Sequence, residues 1–341
     1  MLAHLVEPPH PPGVTVLLPV FFRDADADRV RLLRDALESV HVQRFPAAYE
    51  ILVVDDGSPS PIEALAPRLG HEAKAVRFIR LQHNCGIAAA LNRGLAEARY
   101  PFIARLDHDD RWLETKIEKQ LALFAGDPDL TIAGTGMTVV TPLDEPIETH
   151  VRPGSWAWAL DFLAAGGSPL PHGSVLARRD IYRLLGGYPL DGAYRYCEDY
   201  ALWADWLRFF KPGMVEEALY RYTVSPGSVS VAHREQQIRA SILVRQRFDS
   251  LAAARIPEAL DELSAAMGCT LLEAGFLAFK MWRFGAVVRL PASAVGPLET
   301  IMPDRRIRTG AEAEGPRDVA TVLERDLATP DGSRPVHAAS A

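Results

Sequence analysis

At 341 residues the chain can bury a large core, and its 48% hydrophobic and 24% charged residues are ordinary for a globular protein. A formal net charge of −7 argues against a nucleic-acid binder, which needs a basic face to neutralise phosphates. Three widely spaced cysteines, Cys85, Cys197 and Cys269, form no CxxC pair and suggest neither a disulfide framework nor a zinc site; a reducing cytoplasm fits.

The N-terminal stretch Met1 to Pro12 lacks the basic start and apolar core of a secretory leader. Four β-branched or apolar runs follow that predict buried parallel strands: Val14–Val20, Glu50–Asp55, Val76–Leu81 and Pro101–Leu106. Helical patterns separate them at Ala27–Val42, Pro61–Leu69 and Ile87–Ala98. Alternation at this pitch predicts βαβ units, hence an α/β, Rossmann-like, doubly wound and mostly parallel sheet. A helix is expected over Trp112–Phe124, then strands over Leu130–Gly134 and Met137–Thr141. Farther on the pattern predicts helices at Trp156–Ala165, Asp180–Leu185 and Tyr200–Phe210, with strands at Val175–Ala177 and Ala218–Val224.

Past residue 230 the pattern is helical, through Ala232–Leu251, Glu258–Ala266 and Thr270–Arg289. Residues 303–341 have few large apolar groups and are expected to stay disordered, because little burial offsets ordering entropy. The organisation expected is therefore a main domain over 13–230, a helical C-terminal extension over 231–302 and a tail. No run of about 20 apolar residues predicts a membrane span. The 270–289 helix is apolar nearly all round, which suits a core, an oligomer interface or a peripheral membrane contact.

Ligands of open parallel sheets bind beyond the carboxyl ends of the strands. Strand two ends in Asp55-Asp56-Gly57-Ser58 and strand four in Asp107-His108-Asp109-Asp110, so five carboxylates crowd one rim. Their mutual repulsion calls for a cation, and Mg²⁺ or Mn²⁺ prefers such oxygens. A metal there could bridge a nucleoside diphosphate, while Asp55 or Asp56 could accept hydrogen bonds from base or ribose. The structural alternatives are that Asp110 caps the helix near Trp112 and that Asp-Asp-Gly-Ser is a plain turn. A second pair, Glu198-Asp199, opens an aromatic helix, either as acids matched to the helix dipole or as a base for an acceptor hydroxyl. Trp203 and Trp206 on that helix are expected in the core. Gly134-Thr-Gly136 is not a dinucleotide fingerprint, since position 139 is Val and extended sequence follows.

In this order the motifs resemble the family 2 glycosyltransferases with the GT-A fold. The resemblance runs through Val53-Val-Asp-Asp-Gly-Ser, Asn84-Cys-Gly, Ile103-Ala-Arg-Leu-Asp-His-Asp-Asp, His172-Gly-Ser-Val, Gly186-Gly-Tyr, Cys197-Glu-Asp-Tyr and Tyr220-Arg-Tyr, covering about residues 13–230. It implies that Asp56 reads the donor base in a pocket shaped by Pro19 and Phe21, and that Asp107 and Asp109 are the acids of the DxD motif. Asp109 would ligate the metal, with Asp110 assisting and Arg105 standing before the motif. Asn84, Gly86 and Asn92 would belong to the segment closing over the nucleotide. Asp199 would be the general base of an inverting displacement, supported by Glu198, with His172 on the acceptor side.

The implied activity is cytoplasmic, metal-dependent transfer of one sugar from a UDP-, dTDP- or GDP-linked donor to a glycan or lipid-linked acceptor, in cell-surface glycan or glycolipid synthesis. Phe21-Phe22-Arg23 replaces the family's usual Tyr-Asn after Pro19-Val20, and Gln236-Gln-Ile-Arg239-Ala240 lacks the Trp of processive synthases. A nucleotidyltransferase would need a basic run near strand one, which is not seen. A non-catalytic scaffold with this fold fits poorly with an intact Asp107, Asp109 and Asp199 set.

Overall fold

The computed structural model describes residues 13–44, 46–70, 75–224, 233–247, 253–285, 290–305 and 307. Four parallel strands form the first half of its sheet: β1 (Val14–Val20), β2 (Tyr49–Asp55), β3 (Val76–Arg80) and β4 (Phe102–Arg105). Every residue of β1 is buried, as a central strand covered on both faces requires. Between these strands run α1 (Ala27–His41), the short α2 (Ala66–Leu69) and α3 (Ile87–Glu97). Asp26 starts α1 by accepting the Arg29 N–H at 2.8 Å, satisfying one of the helix's orphan donors.

The second half departs from simple alternation. Trp112 joins Arg111 in a two-residue strand, β5, rather than opening a helix, so α4 begins only at Lys116 and ends at Gly126. The Trp112 ring is buried, and its indole N–H donates to the Gly173 carbonyl at 2.8 Å, which burial of a tryptophan demands. The two strands expected around Gly134–Met137 are one, β6 (Ile132–Val140), whose register against β9 (Pro212–Thr223) shifts at Gly136. β7 (Pro146–His150) pairs β6, and β8 (Leu176–Arg178) inserts antiparallel between β4 and β6. Among the described residues the order is β3-β2-β1-β4-β8-β6-β9-β5, with β7 on β6.

Two cores flank the sheet. One joins α1 and α4 to β1 and β2 through Leu33, Leu37, Leu18 and Ile117. The larger joins α3, α5 (Trp156–Ala164), α6 (Arg179–Leu185) and α7 (Glu198–Phe209) to the C-terminal helices α9 (Ile256–Met267), α10 (Leu271–Phe284) and α11 (Val295–Ile301). Between α7 and α9 lies α8 (Arg234–Gln246), which turns Ala240 and Val244 into that core. Trp203 and Trp206 are fully buried there. The apolar helix read from 270–289 is α10, which packs Leu272, Ala274, Gly275 and Leu277 to Met281 into the core; residues 286–289 lie outside the described residues. No single helix among the described residues is long and apolar enough to cross a membrane. Residues 306 and 308–341, most of the expected disordered tail, lie outside the described residues.

Arg208 fastens the C-terminal layer to α7. Its guanidinium donates to the Ile301 carbonyl at 2.9 Å and to the Asp304 carboxylate at 2.8 Å, and the Trp282 indole donates to the same acid at 3.2 Å. Burial raises the Asp304 carboxyl, but the Arg208 hydrogen bond and charge outweigh it and leave it below its ordinary value. Arg208→Ala should therefore lower stability by about 1–3 kcal/mol in chemical denaturation. An acid held low contributes stability above its unfolded value and loses it as pH falls through the folded one. The gap between wild type and variant should thus be full above about pH 4 and shrink below it.

Candidate active site

The carboxyl ends of β2 and β4, either side of β1, carry the rim acids, but the fold gives the five carboxylates different work. Asp55 is buried, and its oxygens accept the Ser58 N–H at 2.8 Å, the Ile62 N–H at 3.1 Å and the Arg80 guanidinium at 3.1 Å. This acid builds the turn after β2 and is committed to it. Asp56 accepts the backbone N–H groups of Cys85 and Gly86 at 2.8 and 2.9 Å, which fixes the loop opening α3. Burial raises its carboxyl, and those two backbone bonds oppose the rise. Gly57 has φ +71°, and a Cβ on it would lie 2.3 Å from the His83 carbonyl carbon, so only glycine lets the two loops meet.

Near the end of β1, Pro19 is buried and Phe21 is 38% exposed at the rim. Phe22 is buried, its N–H donates to the Ser58 hydroxyl at 3.0 Å, and its ring meets His108 edge-on at 5.2 Å. The Phe-Phe pair therefore divides into an outward ring and a support beneath the DxD segment. Asn84 is exposed on the loop that Asp56 holds.

Arg105 ends β4 with its side chain almost wholly buried and paired to Asp107. Burial lowers the guanidinium, but the Asp107 charge and hydrogen bond overcome this and hold it further above its ordinary value. Asp107 and Asp109 remain partly open to solvent. Burial raises the Asp109 carboxyl, the neighbouring His108 opposes this, and Asp107 adds to it. Asp110 differs: it is buried and accepts the Tyr220 hydroxyl and, at 2.7 Å, the Thr223 N–H. It does not cap α4, whose N-cap is Thr115, but ties the DxD turn to β9, with its carboxyl pushed well up by burial and by Asp109 and Asp107.

Across the rim, α7 opens with Glu198 and Asp199, both half-buried and both raised chiefly by burial. Asp199 is near enough for the charges of Arg105 and Asp107 to act on it, so the acids of strand four and helix α7 share one field. His172 is held well below its ordinary value by burial and then by Arg105, and is neutral. Its Nε2 meets the Tyr188 hydroxyl at 2.8 Å, and its ring packs edge-on to Trp203.

Asn92, which the resemblance assigns to the segment closing over the nucleotide, stands on α3, the helix that Gly86 opens. Its amide grips the backbone of Tyr188 twice, donating to the carbonyl and accepting from the N–H, both at 2.8 Å. Gly187 must be glycine for this grip, because a Cβ would stand 2.3 Å from Asn92 Oδ1 and φ is +77°. Arg221 pairs with Asp144, which also takes Arg111 at 2.5 Å, so it is held in the β6–β7 turn. The reading from sequence missed Tyr188, Tyr220 and Ser58 as supports. Each stood inside a recognised motif, Gly-Gly-Tyr, Tyr-Arg-Tyr or Asp-Asp-Gly-Ser, as the only visible signal.

Comparison with known proteins bears on this geometry. The family model for glycosyl transferase family 2 matches residues 15–156. EpsE of Bacillus subtilis (strain 168), assigned as a glycosyltransferase, is 30% identical over 200 residues, covering 56% of this chain and 68% of EpsE. The chain belongs to glycosyltransferase family 2. The amylovoran biosynthesis glycosyltransferase AmsE of Erwinia amylovora is 31% identical over 173 residues, covering 50% of this chain and 62% of AmsE. Crystal structures of S. aureus TarS 1–349, alone and with UDP-GlcNAc, superpose with TM-scores of 0.51 and 0.54 over 86% of this chain and 81% and 80% of TarS, at 16% and 15% identity. That likeness is one of fold. This family 2 glycosyltransferase has the GT-A architecture, with a sheet whose parallel half carries the DxD acids.

If Asn92 serves Tyr188 rather than the nucleotide, Asn92→Ala should lower stability by about 1–3 kcal/mol while leaving nucleotide affinity within about threefold, by thermal denaturation and by titration. Gly57→Ala should do the reverse in emphasis. Displacing the 83–86 loop should weaken nucleotide binding about tenfold or more, because the clash is with backbone that cannot swing aside.

Proposed function

We propose that this glycosyltransferase moves a single sugar from a nucleoside-diphosphate donor to an acceptor hydroxyl in one inverting displacement. One observation carries the reading. The DxD acids at the end of β4 and the half-buried Asp199 at the start of α7 lie around the same buried Arg105, close enough for their charges to interact. This arrangement supports a donor-side and an acceptor-side carboxylate acting at one anomeric carbon, as a direct attack would require.

The acceptor oxygen would bond to the anomeric carbon as the bond to the diphosphate breaks, and Asp199 would receive the acceptor's proton. A carboxyl raised by burial is a better base for a hydroxyl than one in water, and Glu198 beside it is raised for the same reason. His172, neutral and hydrogen-bonded to Tyr188, would face the acceptor. Asp56, with Pro19 and Phe21, would border the base of the nucleotide, next to the loop of Asn84 and Gly86.

A divalent cation suits the residues present. No group of three or more His, Cys, Asp or Glu ready to hold a metal occurs among the described residues. Asp107 and Asp109, however, are partly exposed hard oxygen donors in a strongly acidic cluster, and a diphosphate brings further oxygens. Those two acids would hold Mg²⁺ or Mn²⁺, which when bound neutralises charge on the departing diphosphate. The likeness to AmsE, an amylovoran biosynthesis glycosyltransferase, supports a place in polysaccharide synthesis.

Thermal stability measured with UDP, GDP, dTDP and CDP, each with Mn²⁺ and with EDTA, tests the donor site. A nucleotide at about 100 times its dissociation constant should add roughly 2.7 kcal/mol, or several degrees. That gain should vanish with EDTA and in Asp109→Asn; no metal-dependent gain with any nucleotide would overturn the reading. Asp199→Asn should keep the gain yet lose about 10²–10⁴-fold in turnover. Because burial raises Asp199, the acid limb of kcat/KM should rise with a midpoint above the ordinary aspartate value.

A further inference from the structure

The C-terminal half leaves one helix with its apolar side chains outward. In α8, Ala240 and Val244 pack into the core, while Ile238, Ile242 and Leu243 are 51%, 44% and 43% exposed. Ile238 and Ile242 are one turn apart on the face opposite the packed pair, with Leu243 at its flank. The same short helix carries three arginines, Arg234, Arg239 and Arg245, all exposed, against one glutamate, although the whole chain is at −7. Glu235 is engaged by Arg239 at 2.6 Å. An aliphatic strip set among arginines on an otherwise acidic protein is an electrostatic and apolar match for an anionic lipid surface.

We infer that the outer face of α8 docks on an anionic phospholipid bilayer, Ile238, Ile242 and Leu243 entering the interface and the arginines meeting lipid phosphates. Self-association suits this face poorly. Three side chains bury far less than the roughly 800 Å² per partner of a stable interface, and a two-fold contact would oppose arginines to arginines. A lipid surface requires no such shape match.

The position of α8 gives the docking a use. Its first turn follows His233, whose ring stacks face to face on Tyr196 at 3.9 Å. Tyr196 stands in a left-handed conformation, φ +66°, three residues before Asp199. The 3₁₀ turn Gly192–Tyr194, also ahead of Asp199, touches α8 as well, and Leu190 before it is 69% exposed. A membrane under α8 would therefore lie beside the Asp199 end of the site, suiting an acceptor held in lipid. That use rests on the transfer reading above, whereas docking itself does not.

The full chain would be sedimented with vesicles of phosphatidylcholine alone and of phosphatidylcholine with phosphatidylglycerol, in low and high salt. Binding to the anionic vesicles alone, weakened at high salt, is the expected result. Ile238→Ser/Ile242→Ser and, separately, Arg234→Ala/Arg239→Ala should each reduce binding about tenfold or more. Phe284→Ser, which alters the exposed end of α10, should leave it unchanged. Unaltered thermal stability and nucleotide binding would show that the variants fold and keep the donor site. Wild type that ignores anionic vesicles, or an Ile pair variant that binds as well, would overturn the proposal. A wild-type dimer that the Ile pair variant makes monomeric would overturn it in favour of a second copy.

Discussion

Arg105 is a guanidinium buried at the end of a central strand and paired with Asp107, and its charge offsets the crowding of acids around it. It opposes the mutual repulsion of three acids, Asp107, Asp109 and Asp199, in a medium that screens poorly. The arginine is stable in turn because Asp107 meets it. Removing one partner of such a pair typically costs 3–5 kcal/mol, because the other charge is left buried and unmatched. Burial, and after it the same charge, holds His172 well below its ordinary value, so Arg105 acts on that histidine as well as on the acids.

Around this centre the fold sorts chemically identical residues into different tasks. Asp55 and Asp110 have their oxygens filled by the protein, the first by Ser58, Ile62 and Arg80, the second by Tyr220 and Thr223. They shape the turns that present Asp56, Asp107 and Asp109. Asn92 does likewise at a distance, holding the backbone of Tyr188 so that its hydroxyl meets His172. The supports are as demanding as the groups they carry, since Gly57 and Gly187 each meet a neighbour too close for any Cβ.

The C-terminal helices serve the same site through α7. Arg208 and the buried aromatic rings of that helix tie it to α10 and α11, and Arg247 at the end of α8 pairs with Asp205 on α7. The helix that begins with Glu198 and Asp199 is thus held over its second half by groups 42 to 96 residues farther along the chain. A rigid helix behind the Asp199 carboxylate limits how far that group can drift.

The parallel strands, the rim motifs and the family were legible in the amino-acid order, because each is a local matter. A β-branched run followed by Asp-Asp-Gly-Ser defines a strand and its exit, whatever lies elsewhere. Partnership is not local. Nothing beside Asp110 tells that Tyr220 and Thr223 fill its oxygens, and nothing beside Trp112 tells that it joins a strand against Tyr220 instead of starting a helix. An apolar composition made 271–284 look fit for a membrane as much as for a core, and only packing made it core. It also left Ile238, Ile242 and Leu243 outside. Local order fixes which groups stand at a strand's end, whereas hydrogen-bond capacity and burial are shared among segments far apart and exist only once the chain has closed on itself.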